Sequence, residues 1–292
     1  MKELIQGNAM RYESNGRAYI DLEQEHKPTY SVTTIIDRAW GQPKPLADWR
    51  MKDGHDRAID FIIGEHQVVN WVISEEYLEL DPKEKSDLPR KLNRDYVNER
   101  ARIGTQVHSI LMHLSQGDIL PKDLAFTPDG NVDLTSDIYE EVPEEVKYRV
   151  KACMKFWKEC KVVPLGVEVA MHSPNYLFSG TADLICEMDG ERWLIDYKTG
   201  KDTHDEQHVQ LNCYGLLALE LTNIDRLGIL HLPSEGTWKK SSRKGVKNAK
   251  EYCLIEVEWN KRIVDALVEK FTFLNNNIRP KEKKDVADKN AV

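Results

Sequence analysis

The stretch "LFSGTADLICEMDGERWLIDYKTG", Leu177 to Gly200, leaves the chain the least freedom. Two apolar runs flank Asp189–Gly190, a dipeptide that favours the tight turn of a two-residue hairpin. Side chains two apart on a strand share a face, so Asp196 and Lys198 point one way and Tyr197 the other. Folding back at the turn sets Asp183 opposite Asp196, because each lies six residues from its own side of the turn. Two carboxylates and an ammonium are thereby gathered on one face of strands whose other residues read as core. Carboxylates a few ångströms apart repel, which raises a pKa unless a cation sits between them. A hard divalent ion, Mg²⁺ or Mn²⁺, resolves that conflict, and a lysine beside it can orient a water or steady the charge of a phosphoryl transition state. For an isolated D-x-K, a cross-strand salt bridge on a solvated face is the other reading.

Around this hairpin the 292 residues alternate between strand and helix patterns. Residues 8–35 read as short strands, 36–54 as loop and short helices, 56–70 as helix, and the charged 74–90 as an exposed linker. Residues 91–116 are helical, as one helix or two, with Gly117 as a stop, and 118–141 form a polar insert. Pro143 suits a helix start, and Val146, Val150, Met154 and Trp157 continue at helical spacing. "LGVEVAMHS" (165–173) reads as a strand, and Thr203 and Glu206 have capping-box spacing ahead of a helix to 221. "RLGILHLP" (226–233) and "YCLIEVEW" (252–259) read as strands, 261–277 as an amphipathic helix, and 280–292 as a disordered charged tail.

The net charge of −8 argues against a nucleic-acid partner, since phosphate binding wants Lys and Arg, but its distribution matters more than its sum. "KKSSRKGVKNAK" (239–250) holds six cations and no acid, so Lys239, Lys240, Arg243 and Lys244 are candidates to hold a phosphate backbone; a solvated loop is the alternative. Five cysteines without a CxxC pair read as reduced thiols and argue against zinc or an iron–sulfur cluster. No run of about 18 apolar residues is present to span a membrane. The first residues lack an apolar or Arg-rich leader, so an intracellular, cytoplasmic placement is expected.

Five elements in order resemble the PD-(D/E)XK nucleases, more narrowly the RecB-like exonuclease branch that includes phage recombination exonucleases and the mitochondrial genome-maintenance exonuclease. They are "GTQVH" ending at His108, "GVEV" with Glu168, "GTAD" with Asp183, "IDYKTG" with Asp196 and Lys198, and "QLNCY" with Gln210 and Tyr214. The match covers about residues 100–220, and "YSVTTIIDRAW" is similar to the amino-terminal region of phage members. Asp196 stands where many relatives have Glu.

The resemblance implies an α/β fold with a restriction-endonuclease-like core, a central mixed sheet flanked by helices, and an amino-terminal helical region. Residues 1–99 are expected to cover the site, 100–279 to form the nuclease core, and 280–292 to be the tail. It implies Mg²⁺, with Mn²⁺ able to substitute, held by His108, Asp183, Asp196 and the main-chain carbonyl of Tyr197. Glu168 would close the acidic cluster or hold a second ion, Lys198 would orient the attacking water, and Gln210 and Tyr214 would orient Lys198 or touch DNA. Each has a plainer reading: His108 as a packed helical residue, Glu168 as a surface strand residue, Gln210 and Tyr214 as helix packing, and Gly104 as a packing notch. The implied activity is hydrolysis of DNA phosphodiesters from a free end, on single-stranded or end-processed DNA in recombination, replication or repair, with a recombination or replication protein as partner and a phage as a candidate source. The alternatives are a structure-specific endonuclease, a non-catalytic DNA-end-binding protein, and a metal-dependent phosphatase.

Overall fold

The computed structural model describes residues 5, 7, 10–13, 18–21, 29–40, 79–136, 138–173, 176, 178–200, 203–234, 247–248 and 251–277. The basic run at 239–244, the helical reading of 56–70 and the tail at 280–292 lie outside them. The described strands are β1 (Met10–Glu13), β2 (Ala18–Asp21), β3 (Thr29–Ser31), β4 (Asp123–Leu124), β5 (Glu140–Glu141), β6 (Val163–His172), β7 (Phe178–Met188), β8 (Glu191–Lys198), β9 (Arg226–His231), β10 (Lys247–Asn248) and β11 (Cys253–Val257). The described helices are α1 (Val32–Ala39), α2 (Pro82–Gln116), α3 (Glu144–Glu159), α4 (Asp205–Ala218) and α5 (Lys261–Asn277).

All the strands except the small β4–β5 pair join one mixed sheet, in the order β1-β2-β3-β7-β8-β9-β11-β10, with β6 also on β7. The hairpin forms as its turn residues dictate: Asp189 and Gly190 take φ of +53° and +80°, and Met188 pairs with Glu191 through to Leu184 with Ile195. β8 and β9 are parallel neighbours, which requires a crossover, and α4 supplies it. Helices cover both faces. Ile185 and Leu194 pack with α1, α4 and α5, against Ile35, Leu217, Val264 and Phe271. Leu184, Cys186, Ile195 and Tyr197 pack with α2 and α3, against Val107, Leu111, Val146 and Phe156.

β7 is paired unevenly, and that positions everything else. β6 runs along one edge of it from Ser179 to Glu187. The other edge is shared: β8 takes Leu184–Met188 and β3 takes only Phe178 and Ser179. On that edge Gly180–Asp183 therefore has no strand beside it among the described residues, and the sheet splits there.

Residues 82–90 are helix and not linker. Asp81 caps α2 by accepting from Lys83 N–H (2.7 Å) and Glu84 N–H (2.8 Å), and Glu84 Oε2 accepts from Asp81 N–H at 2.9 Å. That capping box, with Pro82 in the first turn, starts the helix early enough to carry Pro89 in its interior. α2 ends where its sequence says, at Gly117 with φ +90°. It passes unbroken through residues 99 and 100, where the reading from sequence sets the start of the core. The helix after β8 is capped one residue later than the Thr203–Glu206 spacing implies: His204 is the cap, and its N–H donates to Gln207 Oε1 at 3.2 Å.

The Glu145 carboxylate ties α2 to α3 by accepting from Arg100 (2.7 and 2.8 Å) and Arg149 (2.5 Å), and from Ser234 Oγ at 2.7 Å. Burial pushes its pKa up, but those donors outweigh burial and hold it at about 2, against an ordinary 4.5. A carboxyl depressed by folding stabilises fully above its unfolded pKa and ceases to do so as pH falls through the folded value. Glu145→Gln is therefore expected to lower Tm most above about pH 5, with the difference from wild type shrinking toward about pH 2 in parallel thermal melts.

Candidate active site

Asp183 stands at the split, and its two oxygens face different partners. Oδ2 accepts the Tyr197 backbone N–H at 2.6 Å, continuing by a side chain the ladder that ends at Leu184–Ile195. Oδ1 lies 3.3 Å from His108 Nδ1 on α2. His108, Glu168 and Asp183 place one ligand atom each within 4.8 Å of one another. Asp196 and Lys198 point instead toward α4, while Tyr197 lies on the α2–α3 side with its ring 5.7 Å from His108. Lys198 Nζ sits 2.6 Å from Asp196 Oδ2 and donates to Gln210 Oε1 at 3.1 Å; Gln210 Nε2 donates to Tyr214 Oη at 3.0 Å. The acids and the lysine thus meet at a gap in the sheet, where α2 and α4 reach from opposite faces.

Glu168 arrives there by a left-handed residue, φ +47°, in the middle of β6. Such a conformation is uncommon for a residue with a Cβ and costs of order 1–3 kcal/mol, so it persists where the surroundings impose it. A regular strand would put Val167 and Val169 on one face with Glu168 opposite; here Val167 packs on the α2–α3 side and Val169 on the other.

The charges do not balance within the protein. Burial opposes a charged His108, yet Asp183 and Glu168 outweigh it and raise the imidazole to about 9. Burial would raise Asp183, but His108, Lys198 and the Tyr197 N–H hold it below its ordinary value. Burial, with Asp183 adding, lifts Asp196 above its ordinary value despite Lys198. Burial would lower Lys198, but Asp196 and Asp183 raise it more. Burial and then Asp183 push Glu168 up to about 7. Three acids face one lysine and one imidazole. That deficit of positive charge, with an imidazole nitrogen among carboxylate oxygens, fits a divalent cation.

Two glycines of the motifs act through contacts that sequence does not disclose. A Cβ on Gly180 would stand 2.3 Å from Tyr214 Cε1, so its absence lets the ring lie on β7 inside the split. A Cβ on Gly104 would lie 3.2 Å from Thr199 Oγ1: here Gly104 is a notch that brings α2 against the chain following Lys198. His113, five residues beyond His108 on α2, takes no part in the cluster and pairs with Asp118 at 2.7 Å.

The PD-(D/E)XK nuclease superfamily model matches residues 83–276, which takes in β4 to β11, nearly all of α2 to α5 and every element of the site, but not β1 to β3. The chain belongs to that superfamily and is a nuclease of its fold, in a family that uses divalent metals. Solved structures to which it is similar include an alkaline exonuclease from Laribacter hongkongensis, at 9% identity and TM-score 0.32 over 46% of this chain and 69% of that one. Another is a phage-related exonuclease from Haemophilus somnus 129PT, at 10% identity and TM-score 0.28 over 83% and 89% of the two chains. No curated protein matches. No helix among the described residues is long and apolar enough to cross a membrane.

Gly180→Ala is expected to destabilise the fold by about 1–3 kcal/mol through overpacking. Urea denaturation checks this, and in a Tyr214→Ala background the same glycine substitution should cost much less than in wild type, because the clash is with that ring.

Proposed function

We propose that the protein is a Mg²⁺- or Mn²⁺-dependent deoxyribonuclease that works from DNA ends. The observation that carries the reading is the Lys198 ammonium, held between Asp196 and Gln210 beside the His108–Glu168–Asp183 cluster. A salt bridge alone would need neither a histidine from one face of the sheet nor a glutamine from the other.

His108, Asp183 and Glu168 would hold the ion, with Asp196 and the Tyr197 carbonyl completing the donor set. When bound, the ion supplies Lewis acidity and positive charge at the scissile phosphate. His108 must give up its proton to become a ligand, and the arriving charge replaces the one it loses. Lys198 orients the water for in-line attack, and Gln210, fixed by Tyr214, gives the ammonium a second acceptor beside Asp196 that sets its direction. Lys239, Lys240, Arg243 and Lys244 would supply sequence-independent contacts to the DNA backbone. End dependence rests on the exonuclease character of the branch whose five motifs the chain shares. Trp40, half-exposed at the end of α1, offers a surface on which an unpaired base can stack. Recombination, replication or repair of DNA in a cytoplasmic setting, phage-encoded or not, is the context this activity fits.

Metal ligation depends on the carboxylate and not on the ammonium. Asp183→Ala is expected to lose both Mn²⁺ binding by calorimetry and cleavage, while Lys198→Ala binds Mn²⁺ and loses at least ~10²-fold in cleavage rate. Normal cleavage by Lys198→Ala would reduce the pair with Asp196 to a salt bridge.

Linear single-stranded DNA should be degraded to short products in Mg²⁺ and not in EDTA, while closed circles survive. Equal cutting of circles would replace the exonuclease by an endonuclease; persistent activity in excess chelator would overturn the metal mechanism.

A further inference from the structure

Arg149 lies outside every motif that points to the site, yet its side chain is fully buried. Its Nη1 donates to the carbonyl oxygens of both Thr199 and Leu232, the latter at 2.6 Å. Nη2 donates to Glu145 and to Ser234 Oγ, the latter at 2.7 Å. Thr199 immediately follows Lys198 at the end of β8, and Leu232 follows β9, whose ladder with β8 closes with Leu232 N–H on Lys198 O at 2.8 Å. Beyond that bond the Thr199 and Leu232 carbonyls have no strand partner among the described residues, and a planar guanidinium can satisfy both at once.

The same short segment is held from two further sides. His231 Nε2 lies 2.8 Å from Gly200 O, and α2 presses on Thr199 across the notch at Gly104. A buried guanidinium is costly to desolvate, and an apolar side chain of similar volume would often stabilise as well. Holding the backbone at a fixed place accounts for what an apolar residue would not supply.

We propose that Arg149 is a positioning residue for catalysis: by pinning Thr199 and Leu232 it fixes the exit of β8, and through it the place of the Lys198 ammonium. This rests on the nuclease reading above. The lysine stem is long and flexible, so the ammonium is aligned only if its backbone origin is fixed; a misplacement of about 1 Å can cost on the order of 10²-fold in rate. Of the proposed ligands, His108, Glu168 and Asp183 stand on α2, β6 and β7, and only Asp196 and the Tyr197 carbonyl share β8 with Lys198, so most of the metal's donors are held independently of the lysine.

The test is Arg149→Lys, which keeps the charge and loses the fork. Steady-state cleavage should show kcat reduced about 10- to 100-fold with KM for DNA within about threefold of wild type, while calorimetry gives an unchanged Mn²⁺ Kd. Wild-type kcat in the folded variant would overturn the proposal. A loss of Mn²⁺ affinity equal to the loss of kcat would also overturn it, since the damage would then be general. Should Arg149→Lys not fold, Gly104→Ala presses on Thr199 from the α2 side and is judged by the same two readouts. If wild-type protein cleaves no DNA, the nuclease reading fails by itself. The clamp is then judged by the Lys198 ammonium signal in ¹⁵N-lysine NMR, assigned with Lys198→Arg. Arg149→Lys should shift or broaden that signal, and an unmoved signal refutes the clamp.

Discussion

Among the described residues one edge of β7 is not filled over Gly180–Asp183, and the site sits at that gap. In a continuous sheet, a histidine on α2 and a glutamine on α4 would be separated by a layer of backbone. Where β3 has ended and β8 has not begun, the layer is open for the four residues Gly180–Asp183, and side chains from both faces enter the same space. The G-x-x-D spacing gains a physical meaning from this: the glycine sits at one end of the opening and accommodates the Tyr214 ring, and the aspartate sits at the other end and closes the ladder.

The opening gathers like charge, and the protein offsets it only in part. His108 and Lys198 each answer one acid, drawn up by the carboxylates beside them. Glu168 is delivered by a strained backbone residue into a place where burial and Asp183 both disfavour its charge. Two costs at one residue, local strain and an unfavourable ionisation, mark it as kept for something other than folding. The Lys198–Gln210–Tyr214 chain has the opposite character, because each group is partnered and each bond spaces the next. The site therefore combines a loosely balanced half, ready for a cation, with a fully bonded half that sets direction.

The hairpin and its contents were legible because short-range rules govern them. A two-residue turn sets a register, the register sets which residues oppose, and alternation puts Lys198 with Asp196 and Tyr197 on the other side. The capping box at Asp81 was equally local, but the charge and prolines around it masked the signal, so the first turns of α2 read as linker. Glu168 was placed by alternation, which fails at a left-handed residue that carries no glycine to announce it. Arg149 left no trace at all, since an arginine on an amphipathic helix reads as surface and only the meeting of β8, β9 and α3 buries it. What sequence withheld was long-range: which carbonyls end up facing which helix.

Asp183 spends one oxygen on the backbone of Tyr197 and aims the other at His108. No other side chain offers two equivalent acceptors on so short a stem, because asparagine would present hydrogens to one of these partners and glutamate would overreach. A substitution there would take away a proposed ligand and also unfasten the tip of β8, so a protein made inert that way would be altered in shape as well as in chemistry. Anyone wishing to trap nucleic acid on an intact but silent scaffold would do better to silence the lysine, whose removal leaves every backbone bond of the opening in place.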